Sequence, residues 1–517
     1  MIVFIPTAGI GSRLKEETTY LNKSLLDINN KPIISYIIEK FPRNTRFVIA
    51  LGYKGYLVKQ YLKLAHPNIK FTFVNILPFK GVKSGLGLTL LKSSKYLQDK
   101  FIFITCDTLI NSKIKFSNNN WIGYSSKKAG TEYRSVDIKN GKLLRINEKN
   151  KIYKEKKTYI GLAYIKNYKE FWKYTKLNYK ISKSQGEVFA INQLLKKKKI
   201  IARSISWHDV GNLLNYKIIK SKYSKKNKHV ILPKKKEGIW FVNNLVLKYS
   251  LDEKFIKKRI YRAKILNNFV PKILKSSKNI YVYKYVNGKI MSKNLTLHNF
   301  KKLMKFLKDF WKINININQK NFQKKCLKFY KNKTLNRIQI FNKNYNLDKK
   351  NQIINNSKTE NIKFLLKKID WTELSRGVAS RFHGDLHFDN IIIQKKKFKF
   401  IDWRQDFENN LKNGDIYYDL AKLLHGIIVD HNQVNKNNYK IKINNNKIFI
   451  NIKKSKNHII SRKYLENWIV KNGYNIKKVR ILTSLIYLNI APLHHYPYSL
   501  FLYFLGKKML SDELKKK

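Results

Sequence analysis

Short apolar runs alternate with helically spaced apolar residues through the first two hundred positions. Ile2–Pro6 and residues 47–51, 71–75 and 101–105 have the length and composition of strands. Between them, residues 31–41, 56–64 and 86–97 carry apolar side chains at helical spacing. Alternation of this kind builds strand–helix–strand units, and it predicts an α/β fold with a mostly parallel sheet over residues 1–220.

The pattern changes at residues 220–228, a polar and basic stretch that predicts a linker at 221–231. A second unit is expected over 232–517, with strands at 239–242, 245–249 and 280–286 and a helix at 255–266. These form a first lobe of about residues 232–290. After Asn294 the chain reads as mainly helical, interrupted around 383–402 by a loop and two short strands. Residues 439–452 alternate Ile and Phe with Lys and Asn around Asn444-Asn445-Asn446, the pattern of a β-hairpin.

Composition removes several classes. Of 517 residues 43% are hydrophobic, which excludes global disorder, and 21 Gly with 9 Pro exclude collagen-like architectures. Cys106 and Cys326 are too few for a disulfide framework and fit a reducing compartment. Lys and Arg number 108 against 32 Asp and Glu, a net charge of +76. That charge is spread along the chain beside abundant Asn and Ile, as an AT-rich coding bias produces, rather than concentrated on one stripe as in nucleic-acid binders. The start of the chain lacks a basic region before its apolar run, so it reads as a first strand rather than a signal peptide. The long apolar stretch at 481–506 contains Asn489, Pro492, His494, His495 and Pro497 and reads as buried helices rather than a membrane span. A cytoplasmic protein without membrane insertion is expected.

Directly after the first strand comes Gly9-Ile10-Gly11-Ser12-Arg13. Glycines let backbone N–H groups approach phosphate oxygens, and Arg13 adds a fork of donors. Asn22-Lys23 follows, then Asp107 at the end of a buried strand, where open α/β sheets bind ligands. Trp207-His208-Asp209-Val210-Gly211 places a second carboxylate in a strand-to-turn context, and two such carboxylates can hold Mg2+. Taken in order, these elements resemble the nucleotidyltransferases that make activated sugars and amino alcohols, such as the sugar-1-phosphate nucleotidylyltransferases, over about residues 1–220. The resemblance implies a Rossmann-like domain in which Gly9, Gly11 and Arg13 bind the NTP phosphates and Lys23 the reacting centre. It further implies Asp107 and Asp209 as Mg2+ ligands, Gly85 against the base and Lys149 near the second substrate's phosphate. Two departures are visible. Asn22-Lys23 stands where the family has Pro-Lys, and Gly85-Leu86-Gly87 replaces its usual helix start.

In the second unit the sharpest motif is His383-Gly384-Asp385-Leu386-His387-Phe388-Asp389-Asn390 before a short apolar strand. An Asp followed five positions later by Asn has the spacing of a kinase catalytic loop, the Asp taking the attacking hydroxyl's proton and the Asn binding Mg2+. Asp402, at the end of the next strand, is placed for the same metal. A zinc pair of His383 and His387 is a poorer reading, with no third ligand in step. This set resembles the aminoglycoside phosphotransferase and choline kinase family, over about 232–517. The resemblance implies a bilobal, protein-kinase-like α+β domain in which Asp385 is the base and Asn390 and Asp402 bind metal. It places Lys248 on the ATP phosphates, residues 283–286 at the adenine hinge, and His383 and Asp419 as braces of the loop. No Gly-rich loop is evident near Gly238, and Arg259 and Arg262 stand where the helix should offer a Glu.

Two transferase modules in one chain imply consecutive steps on small molecules, with ATP and a second NTP as substrates and Mg2+ at both sites. The expected enzyme phosphorylates a hydroxyl compound and couples the phosphate to a nucleotide, giving an NDP-activated sugar or sugar-like alcohol for surface polysaccharide. The alternatives are a choline or ethanolamine kinase fused to a CTP-dependent cytidylyltransferase, and a basic nucleic-acid-binding protein on degenerate enzyme folds. Oligomeric state is not legible.

Overall fold

The computed structural model describes residues 1–112, 114, 117–128, 130–149, 156–177, 179–224, 236–313, 317–348, 350–395 and 397–516. The chain divides into two compact units, Met1–Glu253 with Leu274–Tyr285 and Lys254–Ile273 with Val286–Lys517.

The first unit is built on a nine-stranded sheet. Its order is Lys70–Asn75, Arg46–Leu51, Ile2–Pro6, Phe101–Ile104, Lys157–Ile165, Asn120–Lys128, Ile200–Ser204, Lys142–Ile146, Ser135–Lys139. The four strands expected from the apolar runs lie together and parallel, the inner three buried on both faces and the edge strand Lys70–Asn75 only partly covered. Helices Gly55–Ala65 and Leu86–Ser93 connect them as anticipated, whereas the helix expected at 31–41 is confined to Ile33–Ile38. Lys31–Pro32 instead pairs with Asp27–Ile28 across Asn29 and Asn30, both at positive φ.

The sheet is mixed, not mostly parallel. Lys157–Ile165 runs antiparallel to both Phe101–Ile104 and Asn120–Lys128, and Ser135–Lys139 is antiparallel to Lys142–Ile146. Antiparallel neighbours need only a tight turn, while parallel ones need a crossover. Asn140 and Gly141, at φ 47° and 70°, supply such a two-residue turn.

Residues 221–224 finish the helix Leu213–Ser224, so that part of the expected linker is helical, and 225–231 lie outside the described residues. A four-stranded sheet follows, in the order Glu237–Val242, Leu245–Ser250, Ile280–Lys284, Ile273–Ser276. All of it except Ile273 groups with the first unit. Trp240 stacks on Tyr249 at 4.5 Å and meets Tyr61 edge-on at 5.0 Å. Gln60 on the helix Gly55–Ala65 exchanges hydrogen bonds with Asn279 and Ser277 at 3.1 and 2.7 Å.

In the second unit the helix Leu297–Trp311 starts at Thr296, whose hydroxyl accepts from the Asn299 N–H at 3.2 Å. It buries Phe300, Leu303, Met304, Leu307, Phe310 and Trp311, spaced three and four apart as one apolar stripe requires. The helices Ile416–Ile428, Ile476–Ile490 and Tyr498–Lys515 are the most deeply buried, as the reading of residues 481–506 expected. The hairpin forms from Tyr439–Asn444 and Lys447–Ile452, and it joins two strands the sequence did not announce, Gln352–Ile354 and Ser357–Thr359. No helix among the described residues is long and apolar enough to cross a membrane. Cys106 and Cys326 are both free and buried.

Candidate active sites

The first site forms where the strand Ile2–Pro6 gives way to a turn. Gly11 sits at φ 75° before the 3-10 segment Ser12–Thr18, and a Cβ there would lie 3.1 Å from Thr18 and 3.2 Å from the stem of Lys23. Glycine at 11 is therefore required by both conformation and space. A Cβ at Gly9 would meet nothing within 4 Å, so packing does not require that glycine.

Asn22 fixes Lys23. Its buried amide donates to the carbonyls of Thr7 and Tyr53 at 2.9 and 2.6 Å, and its oxygen accepts from the Ser24 N–H at 2.9 Å. Lys23 Nζ then lies 3.0 Å from Asp107 Oδ2, with Arg13 Nη2 4.0 Å from the same oxygen. Burial pushes the Asp107 carboxyl up, but Lys23, Thr105 and Arg13 outweigh it and hold it at about 2. Burial pulls Lys23 down, and Asp107 overrides it, leaving the ammonium well above the usual lysine range.

Asp209 ends the strand Trp207–Asp209, which pairs antiparallel with Thr108–Ile110 in the register Asp209 to Thr108. That register sets the two carboxylates side by side. A Cβ on Gly211 would be 2.7 Å from Asp107 Oδ2, 3.0 Å from Asp209 Oδ1 and 3.2 Å from Arg13 Nη2, so three expected site residues converge on one point. Asp209 is held by the Gly211 N–H at 2.9 Å, the Tyr133 hydroxyl at 2.7 Å and the Asn215 amide at 2.9 Å. Sequence reading missed Gly211, Tyr133 and Asn215 as parts of the site. Only Gly211, inside Asp-Val-Gly, carried a local signal. Lys149 belongs to the same electrostatic neighbourhood. Burial and repulsion from Arg13 and Arg134 lower it, against the pull of Glu187 and Asp107. Gly85 precedes the helix Leu86–Ser93 at φ 155° and packs against the Lys183 carbonyl. Two carboxylate oxygens facing one point are hard donors that fit Mg2+.

The second site is the loop between Ala379–Ser380 and Ile391–Ile393. Asp419, at the start of the helix Ile416–Ile428, accepts from the His383 and Gly384 N–H groups at 2.8 Å each and from Trp311 Nε1 at 3.3 Å. His383 is occupied on both ring nitrogens, by the Ile401 carbonyl at 3.0 Å and the Asp385 N–H at 3.2 Å. Burial holds it neutral, with a pKa near 3. The brace expected of both residues is thus present, and His383 is not available to zinc.

Asp385 Oδ1 pairs with Lys422 at 2.9 Å, and the Asn390 amide donates to the Asp385 carbonyl at 2.9 Å and approaches its Oδ2 at 3.4 Å. Burial raises the Asp385 carboxyl, yet Lys422 and His387 bring it well below the ordinary carboxylate range. Asp402, at φ 58°, places Oδ1 2.8 Å from Arg259 Nη1, so the arginine that replaces the expected helical Glu is an ion-pair partner of an expected metal ligand. Asn390 and Asp402 offer the oxygen donors Mg2+ takes, with one Asp402 oxygen engaged by Arg259. Arg262 donates to the carbonyls of Arg404 and Phe382. His387, Asp389 and His431 bring donor atoms within 4.8 Å of one another, but hydrogen bonds from Asn390 to His387 at 3.0 Å and between His431 and Asp389 at 2.5 Å already engage them. Lys422 and His431 carried no motif signal. Lys248 lies buried in Leu245–Ser250, paired with Ile239 and Tyr281, in the first unit.

Residues 270–435 match the model of the phosphotransferase enzyme family (APH). A glucose-1-phosphate cytidylyltransferase of Salmonella typhimurium is 38% identical over 63 residues, 12% of this chain and 24% of that protein. The bifunctional protein GlmU of Methanocaldococcus jannaschii is 26% identical over 223 residues, 41% of this chain and 51% of that one. The chain thus spans about a quarter to a half of the curated relatives it matches. Among solved structures, the CTP:phosphocholine cytidylyltransferase of Streptococcus pneumoniae aligns at TM-score 0.35 and 16% identity, over 43% of this chain and 98% of that one. The chain joins a sugar-phosphate-nucleotidyltransferase-like N-terminal region to a C-terminal phosphotransferase-family region.

Proposed function

We propose that the chain is a bifunctional enzyme that phosphorylates a small hydroxyl compound with ATP and then joins the phosphate to a nucleotide, releasing pyrophosphate. The observation that carries the nucleotidyl-transfer half is the convergence of Asp107, Asp209 and Arg13 on Gly211. A phosphomonoester oxygen attacks the α-phosphorus of the NTP. A new oxygen–phosphorus bond forms as the bridge to the β-phosphate breaks, and pyrophosphate leaves with the electron pair. Gly9 and Gly11 admit the triphosphate to the backbone, Arg13 and Lys23 neutralise its charge, and Lys149 receives the incoming phosphate. Gly85 lies against the base. Asp107 and Asp209 would hold Mg2+, which neutralises phosphate charge when bound.

The kinase half rests on the loop around Asp385, braced by Asp419 under His383 and Gly384. The acceptor hydroxyl attacks the γ-phosphorus and gives its proton to Asp385, while the bridge to ADP breaks. Asn390 and Asp402 would hold Mg2+ there. The glucose 1-phosphate in the name of one curated relative supports an NDP-activated sugar or sugar-like alcohol as product, serving surface glycan synthesis.

Purified protein incubated with ATP, the four NTPs and a panel of sugars and amino alcohols, followed by mass spectrometry, tests this reading. Asp385→Ala should abolish ADP formation yet still release pyrophosphate from NTP and supplied phosphorylated substrate. Asp107→Ala should do the reverse. Folded variants that each lose both activities would refute two separate sites.

A further inference from the structure

We propose that the phosphoryl acceptor carries an acid group of its own, a carboxylate or a phosphate, which Lys333, Arg404 and Lys422 hold beside Asp385. The inference rests on the kinase reading of that loop and adds the substrate's charge class to it.

The cations are placed by three different elements. Lys422, on the helix Ile416–Ile428, is 7% exposed and 2.9 Å from Asp385. Lys333, at the start of the helix Lys333–Tyr345, donates to the Tyr418 hydroxyl at 3.2 Å. Arg404 adjoins the catalytic loop. Its N–H donates to the His383 carbonyl at 2.9 Å, and a Cβ on Gly384 would lie 2.7 Å from its own Cβ. The Phe329 ring ties the group together, with the Arg404 guanidinium 4.7 Å and the Lys333 ammonium 4.9 Å from its centroid and Tyr418 edge-on at 4.9 Å. Phe329 belongs to the π-helical turn Lys328–Asn332, a form that is rare in proteins and concentrated at functional sites.

Acids do not balance this group. Among the described residues no carboxylate lies within ion-pair distance of Lys333 or Arg404, and Asp385 is the partner of Lys422. The surroundings respond accordingly. Burial pulls the Lys333 ammonium down, and Arg404 and Lys422 push it the same way against Tyr418. Burial raises the Tyr418 phenol, yet Lys333, Lys422 and Arg404 together bring it below its ordinary value. Cations gathered in a partly desolvated cluster repel one another and stabilise an anion. A quaternary ammonium acceptor would meet that repulsion, so the cluster also argues against a choline-type substrate.

The same charge could instead serve the nucleotide's own phosphates, and the test separates the two. Full-length protein is assayed with ATP and matched acceptors: glycerol against glycerol 3-phosphate, glucose against glucuronate, and choline as the cation. The anionic member of a pair should show a kcat/KM at least about tenfold higher. Lys333→Met should reduce that preference to within about twofold without changing the KM for ATP. Equal or better use of a neutral acceptor or of choline overturns the inference. So does Lys333→Met if it raises the KM for ATP and leaves the preference intact. If no acceptor is turned over, calorimetry with the same compounds decides, tighter binding of the anions supporting the inference and its absence overturning it. Asp385→Asn distinguishes failure of the kinase reading itself, which falls if ATP consumption persists in that variant.

Discussion

Lys23 and Asp107 each set the charge of the other, and the pair has a pH signature. A carboxyl held at about 2 when folded and near 3.8 when unfolded contributes stability that is complete above the unfolded value and lost as pH falls toward 2. Lys23→Met should flatten this part of the acid unfolding curve and lower nucleotidyl transfer by about 10²- to 10³-fold, read by pyrophosphate release. Asp419 behaves oppositely. Burial raises it to about 6 despite the three N–H groups it accepts. The folded chain therefore takes up a proton there more readily than the unfolded chain, and this group's contribution to stability decreases as pH rises from about 4 to 6. Its catalytic consequence has the other sign. Protonation removes an acceptor from the brace under His383 and Gly384, so kinase turnover should decline below about pH 6. Nucleotidyl transfer, with Asp107 ionised down to about 2, should not share that limb. Parallel pH profiles of ADP and pyrophosphate formation check both statements.

Elements explain which parts of the fold could be read in advance. The parallel strands and their helices were legible because runs such as Ile2–Pro6 are apolar on both faces and so stand out from their surroundings. The antiparallel half was not. Lys142–Ile146 buries only Leu143 and Ile146 and leaves Lys142, Leu144 and Arg145 exposed, without the strict alternation of a strand, so only the Asn140-Gly141 turn marked it. The site divides the same way. Asp107, Asp209, Asp385 and Asn390 sit in motifs, whereas Tyr133, Asn215, Lys333 and Lys422 reach their places through tertiary packing, which leaves no local trace. Gly87 falls between these cases. It reads as a departure from the family's helix start, but a Cβ there would lie 2.2 Å from the Ser182 carbonyl, because the helix Leu86–Ser93 packs closely on Tyr179–Gln185. Gly87→Ala should destabilise the first unit by about 1–3 kcal/mol, measured by denaturant unfolding, through separation of those helices.

At the scale of the whole molecule, the net charge of +76 matters less than where a few charges are enclosed. The reading of the chain as two modules joined by a linker also gains a qualification. Trp240, Val242, Leu247, Tyr249, Ile280 and Val282 share one apolar core with Leu57, Val58 and Tyr61. A fragment of residues 1–224 should therefore have a markedly lower Tm than one of residues 1–290, and thermal unfolding of the two compares them directly. The chain does not run through its two units one after the other. It passes into the second unit at Lys254, returns to the first at Leu274 and leaves again at Val286. A simple end-to-end fusion would need one passage, and one break in its gene would restore the two ancestors. Here no single cut in the chain leaves both units whole, so splitting them takes a rearrangement of the gene and not one break.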